Sequence, residues 1–167
     1  AAVAYFPGDA GKKARLLRRY WIPGDNLQAR CKKDRVPYDQ WIRDGHLSTI
    51  PGPVIRYDVI EREIHALAQF AHVREIAIDP YGALNLMNQL LDAGYTVVQM
   101  QQSFAILSPP TKELLRLVAG KEIEHGGDPV LKWMAANVAL QQNAVGDIRP
   151  SKQKSKGRID GIVAAIM

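Results

Sequence analysis

The chain predicts a mixed α/β fold, and three patterns in its 167 residues lead to that expectation. It opens with two apolar strand-like runs separated by a turn, which is the pattern of an antiparallel hairpin. Between Asp58 and Met100 the pattern alternates helix, strand, helix, strand, which is the rhythm of βαβ units and a parallel sheet with a right-handed crossover. The chain closes on a helix whose Ile159, Ile162, Val163 and Ile166 form one apolar stripe. This length suits one domain with a substantial core.

Each element has its own local reason. Residues 1 to 6 read as a strand, Pro7 to Lys13 as a turn and Ala14 to Ile22 as a second strand. Asp25 to Lys33 and Pro37 to Arg43 read as short helices, with Asp25 as N-cap and Gly45 as the stop. Pro51, Gly52 and Pro53 make Leu47 to Tyr57 an extended connector. Ile60, Ile64, Leu67 and Ala71 recur on one helical face after Asp58, and Asp58 with Glu61 reads as a capping pair. Arg74 to Asp79 is a short apolar strand broken by Pro80 and Gly82, Ala83 to Ala93 a helix ended by Gly94, and Tyr95 to Met100 another strand. Gln101 to Pro110 reads as a polar loop closed by two prolines, with a helix from Thr111 to Val118. Lys121 to His125 follows as a short strand. Asp128 caps a helix that has Pro129 at its first position. Ala139 to Asn143 pairs with Asp147 to Arg149 across Val145 and Gly146.

The totals exclude several classes. At 47% hydrophobic and 23% charged, the composition is that of an ordinary globular protein. No apolar run approaches the roughly 18 residues of a membrane span, and no basic leader marks a secretory signal. Cys31 is the sole cysteine, so no internal disulfide forms. There is no phosphate-binding G-x-x-x-x-G-K-[ST] loop, no G-x-S-x-G elbow and no C-x-x-C pair. His46, His65, His72 and His125 share no metal-binding spacing. The net charge of +5 leans toward a polyanionic partner, and its distribution is more informative. Lys12, Lys13, Arg15, Arg18 and Arg19 crowd the hairpin, while Arg149, Lys152, Lys154, Lys156 and Arg158 precede the last helix. The second cluster has no aromatic residue, so it suits phosphate contacts rather than base stacking; a mobile solvated loop is the other reading.

Two acids stand out. Asp79 ends a strand, which is the edge where ligands bind in open α/β sheets, although an Asp before a Pro is also a common turn residue. Asp160 borders the apolar stripe of the last helix, where the helix dipole by itself favours an acid. Were the two carboxylates brought together they would repel unless a cation lay between them, and such hard oxygen ligands suit magnesium or manganese.

Taken in order, Asp34-Arg35-Val36-Pro37-Tyr38-Asp39, Val59-Ile60-Glu61, Ile78-Asp79-Pro80-Tyr81, Ser108-Pro109-Pro110-Thr111-Lys112-Glu113-Leu114, the run from His125-Gly126-Gly127-Asp128-Pro129 to Asn137, and Ile159-Asp160-Gly161-Ile162 resemble the C-terminal nuclease domain of tailed-phage terminase large subunits. The resemblance runs from about residue 16 to the end. It implies an RNase H-like fold and an endonuclease that cuts concatemeric double-stranded viral DNA during capsid filling. It further implies two divalent cations, magnesium or manganese, with Asp79 as a shared ligand and Asp160 as a ligand of one. Lys152, Lys154, Lys156 and Arg158 would hold the DNA backbone. The implied partners are the terminase small subunit and the capsid portal, in a ring assembly of the full-length protein within the host cytoplasm.

The sequence departs from the family pattern in two places. The family's first acid lies on the first strand, whereas residues 1 to 6 match the second, so the expected Asp falls upstream of Ala1; the ATPase domain is absent as well. Two other readings therefore stand beside the nuclease: a non-catalytic DNA-clamping or portal-docking domain, and an RNase H-like resolvase or transposase relative.

Overall fold

A computed structural model describes residues 1–9 and 11–167; Ala10, inside the turn predicted over Pro7 to Lys13, lies outside the described residues. Strand β1 (Ala2–Phe6) pairs antiparallel with β2 (Ala14–Arg19), as the hairpin pattern predicts. The predicted second strand is not continuous to Ile22, because Tyr20 breaks it and β3 (Trp21–Pro23) leaves for a different partner. That partner is β4 (Ser48–Ile50), which runs parallel to β3 inside what the prolines marked as a plain connector. Ile50 is buried and the prolines follow it, so they end the strand rather than prevent it.

Helices α1 (Leu27–Asp34) and α2 (Tyr38–Arg43) pack together. Asn26, not Asp25, stands at the first cap, in a left-handed conformation that leaves its side chain without a capping bond. Helix α3 (Tyr57–Ala68) likewise starts one residue before the expected cap. Asp58 is instead clamped by Arg56 at 2.7 Å and Arg62 at 3.1 Å, and Glu61 turns to His65. Two arginines outcompete the backbone for the same carboxylate, because charge-assisted pairs are the stronger bonds. They also hold the Asp58 carboxyl below its usual range, led by the Arg56 hydrogen bond.

The βαβ reading is met by β5 (Ile76–Ile78), α4 (Leu84–Asp92) and β6 (Val97–Gln99), with β5 and β6 parallel. Leu86, Met87 and Leu90 bury the inner face of α4. The larger correction is α5, which spans Phe104–Ala119 and contains Pro109 and Pro110 where a loop was expected. Prolines remove two helical donors and disfavour helix for the residue before them. Burial outweighs that here: Leu107, Ser108 and Thr111 are almost fully buried, and Thr111 Oγ1 donates to the Leu107 carbonyl at 2.6 Å. Ser103 caps the helix start by accepting from the Ile106 amide.

Strand β7 (Ile123–Glu124) joins β2 in parallel, so the β1-β2-β7 sheet is mixed. Helix α6 (Pro129–Asn137) follows, then the predicted hairpin of β8 (Leu140–Gln142) and β9 (Ile148–Pro150), and finally α7 (Asp160–Ile166). Helix α7 lies on β1, α5 and α6, while α5 also meets β9. The main core joins Leu16, Tyr20, Ile22, Val36, Leu47 and Val130 to an edge-on aromatic group. In that group Trp41 and Trp133 have ring centroids 5.5 Å apart, with Tyr38 edge-on to both. Among the described residues no helix is long and apolar enough to cross a membrane.

Asp128 ties these layers together. Oδ1 accepts from the Leu131 amide at 2.6 Å as the predicted cap, and Oδ2 lies 2.9 Å from Arg18 Nε and 3.7 Å from His46 Nδ1. Gly126 and Gly127, both at positive φ, bring the chain round to it. Burial, and then this carboxylate, push the neighbouring Tyr20 phenol above its ordinary range. Asp128→Ala should cost about 3–5 kcal/mol, because it strands a buried guanidinium as well as removing a cap. Asp128→Asn keeps the acceptor and should recover about 1 kcal/mol of that. Urea unfolding measures both, and a loss under about 1 kcal/mol for the alanine variant would reduce Asp128 to a simple cap.

Candidate functional site

Asp79 follows β5 directly, at the C-terminal edge of a parallel strand pair. It is a turn residue in fact, since Oδ1 accepts from the Tyr81 amide at 3.2 Å. Its other oxygen accepts from Gln102 Nε2 at 2.5 Å. Arg149 Nη1 donates in turn to the Gln102 carbonyl, and the Arg149 guanidinium stands 4.5 Å above the Phe104 ring. Asp79 is therefore held by a relay that reaches from β9 through the start of α5. Sequence reasoning did not find Gln102, because nothing in its local pattern sets it apart. It also grouped Arg149 with the phosphate-facing cations, whereas this fold turns Arg149 inward.

Asp160 is the first residue of α7, and its position depends on Gly161. A Cβ at Gly161 would stand 2.8 Å from both Met134 Sδ and Tyr20 Cε1, so only glycine lets α7 lie this close to α6. The carboxylate is about half exposed and lies 3.2 Å from Lys152 Nζ.

Serine hydrogen bonds run through the loop before α7. The Ser151 amide donates to the Ala139 carbonyl and Ser155 Oγ to the Ser151 carbonyl, and Ser155 Oγ accepts from the Ala139 amide. Lys156 N donates to the Asn137 carbonyl, and Asn137 Nδ2 to that of Arg158. This brings Lys152, Lys156, Arg158 and Asp160 onto one cleft of about 570 Å³. Lys154 is exposed but does not line it. Arg158 reaches across to Asp34 at 3.4 Å, and Tyr38 donates to the same carboxylate at 2.9 Å. Burial and that hydrogen bond push the Tyr38 phenol up to about 12. Of the hairpin cations, Lys13, Arg18 and Arg19 pair with Glu124, Asp128 and Glu63.

Asp79 is not among the residues lining that cleft. Among the described residues no three His, Cys, Asp or Glu side chains converge as a metal-binding group. Helix α5 adjoins the Asp79 relay at its first residue, Phe104, and also packs on α7. As a donor set they are chemically suited to a hard cation, since each offers carboxylate oxygens whose present partners are an amide or a lysine.

The whole arrangement superposes on a solved structure, "Crystal structure of the HK97 bacteriophage large terminase", with a TM-score of 0.90 and 31% identity over 99% of this chain and 35% of that one. The fold is thus an RNase H-like α/β domain of the terminase nuclease type. Residues 3–167 match the family model "Terminase large subunit, endonuclease domain", and the chain belongs to that family. It is 32% identical to the "Terminase, large subunit" of Enterobacteria phage HK97 over 89% of this chain and 30% of that protein. It is 31% identical to "Protein YmfN" of Escherichia coli strain K12, over 89% of this chain and 34% of that protein. The chain spans about a third of the length of the relatives it matches.

Gly161→Ala should cost about 1–3 kcal/mol by overpacking and should shift Asp160 with its helix. Thermal unfolding reads the first effect. The second appears as a change in the Lys152–Asp160 pair, which a crystal structure of the variant would show; an unmoved Asp160 would count against this role for Gly161.

Proposed function

We propose that residues 1–167 form one nuclease domain that hydrolyses the phosphodiester backbone of double-stranded DNA, in the packaging of a viral genome. The observation that carries this reading is Asp160 at the head of the last helix, opening onto a cleft lined with lysine and arginine; Asp79 stands at a strand end outside that cleft. Family membership supports it independently. The name of the HK97 relative points to work within a terminase, so concatemeric viral DNA is the expected substrate and a small subunit and portal the expected partners. The host cell cytoplasm and a ring of full-length subunits belong to the same reading.

Asp79 and Asp160 are the proposed ligands of magnesium or manganese. Divalent ions held there would make an attacking water more acidic and neutralise charge on the phosphate. The chain's own part is orientation. Gln102 and the Tyr81 amide hold the Asp79 carboxylate in one rotamer, and Lys152 keeps Asp160 from swinging free. Lys152, Lys154, Lys156 and Arg158 neutralise backbone phosphates, which positions DNA without reading its sequence, so cutting should depend little on bases.

A second reading has one observation in its favour. Asp160 is already paired with Lys152, and among the described residues no third acid joins the two, which is the state expected of a domain that clamps DNA without cutting it.

Plasmid cleavage separates the two. With manganese or magnesium the protein should linearise supercoiled DNA, and chelator should stop it. Asp79→Ala and Asp160→Ala should each lose more than about a hundredfold, beyond the 10–100-fold typical of residues that only orient a ligand. If both variants cut at the wild-type rate, the site lies elsewhere; binding without cutting by the wild type supports the clamp. Gln102→Leu should fall about 10–100-fold, with activity partly restored by excess metal. A rate equal to wild type would remove Gln102 from the site.

A further inference from the structure

We propose that the cleft beside Asp160 is a two-walled seat for the sugar-phosphate backbone of duplex DNA, and that Lys33 and Arg35, on the wall opposite the 151–159 loop, are phosphate-positioning residues. The inference rests on the proposed DNA-binding face and extends it to a segment more than a hundred residues away in sequence.

Three observations carry it. First, Lys33 and Arg35 line the same cleft as Lys152, Lys156 and Arg158, with Asp34 and Asp160 as its only acids among the described residues. Five cations face two carboxylates, and both carboxylates are already engaged, Asp34 by Arg158 and Asp160 by Lys152. Among the described residues Lys33, Arg35 and Lys156 form no ion pair, so each wall presents uncompensated positive charge to the gap. Like charges facing one another across a cleft repel, and a polyanion lying between them removes that cost.

Second, the lining is chiefly charged, with Trp133, Tyr38 and Val36 among its other members. Sites for small organic ligands are mostly apolar, which makes this one a poor fit for them and a good fit for a phosphate chain. Third, Arg35 sits at φ 54 and ψ 43 at the C-terminal cap of α1, a left-handed position that glycine or asparagine normally fills. Its backbone bond to the Cys31 carbonyl needs no side chain, so folding alone does not call for arginine there. Backbone strain kept at such a residue is typical of functional positions. The Arg158–Asp34 contact joins the two walls, and Tyr38 holds Asp34 from its own side.

The test is salt-dependent binding of the complete chain to a short fluorescein-labelled duplex of mixed sequence, measured in calcium and again in EDTA. Removing one phosphate-binding cation should lower the slope of log K against log salt by about 0.9. Lys33→Gln and Arg35→Gly should each do so, and together lower it by about 1.8, with binding weakened equally on unrelated sequences. Glycine suits the left-handed position, so Arg35→Gly should melt at or above the wild-type temperature while binding DNA more weakly, a combination that a structural role for Arg35 does not produce.

The paired variant Lys152→Gln, Lys156→Gln reports on the first wall, and Lys112→Gln, exposed on α5, is the control for diffuse charge. If the first-wall pair lowers the slope and Lys33→Gln, Arg35→Gly does not, the second wall is overturned while the DNA face stands. If neither pair lowers it, or the wild type does not bind duplex DNA, the DNA face falls and this inference with it. An equal effect from Lys112→Gln would overturn the localisation to the cleft.

Discussion

The buried pairing of Arg18 with Asp128 is the contact on which the rest of the molecule depends. Arg18 comes from the hairpin and Asp128 from the cap of α6, so one ion pair anchors the first sheet to the helix on which α7 packs. A buried charge is expensive to leave alone, and the Asp128 carboxylate is the acid that pairs with Arg18. Asp128 adds a backbone cap and a histidine to the same carboxylate, which fixes the entry of α6. Everything downstream is referred to that helix. Met134 and Leu131 on α6 form the floor on which Gly161 lets α7 lie, and Asn137 at its end holds the basic loop.

Two parts of the candidate site are thus supported in different ways. Asp160 and its cations are positioned by helix packing and a serine-pinned loop, with close approach made possible by a missing Cβ. Asp79 is positioned by strand pairing and a side-chain relay through Gln102 and Arg149, stacked on Phe104. Helix α5 adjoins both supports, and its buried Ser108 also bonds the Ile148 amide of β9. A change that loosens α5 would therefore disturb both acids, although it contains neither.

Most of the fold was legible from local rules. The hairpin, the βαβ unit, the Asp128 cap with Pro129, and the β8–β9 turn at Gly146 all follow from period, capping and turn chemistry. The failures share a cause, because each involves a rule that burial or charge overrode. Prolines 109 and 110 sit within a helix because the flanking residues are buried, and Ser48 to Ile50 form a strand because β3 offers a partner there. Asp58 leaves its cap because two arginines reach it.

The sequence by itself singled out Asp79 and Asp160 as candidates, the basic loop before the last helix and the α/β class, since residue type, periodicity and the ordered run of family-like blocks are properties of the string. Only the tertiary structure decided what these residues face. It sent Arg149 inward to the Asp79 relay, paired Lys152 with Asp160, left Lys154 off the cleft and brought Lys33 and Arg35 to the same cleft as the loop. The physical reason is that a charge acts over a few ångströms of space, whatever the number of residues between it and its partner, and spatial neighbours are settled by packing.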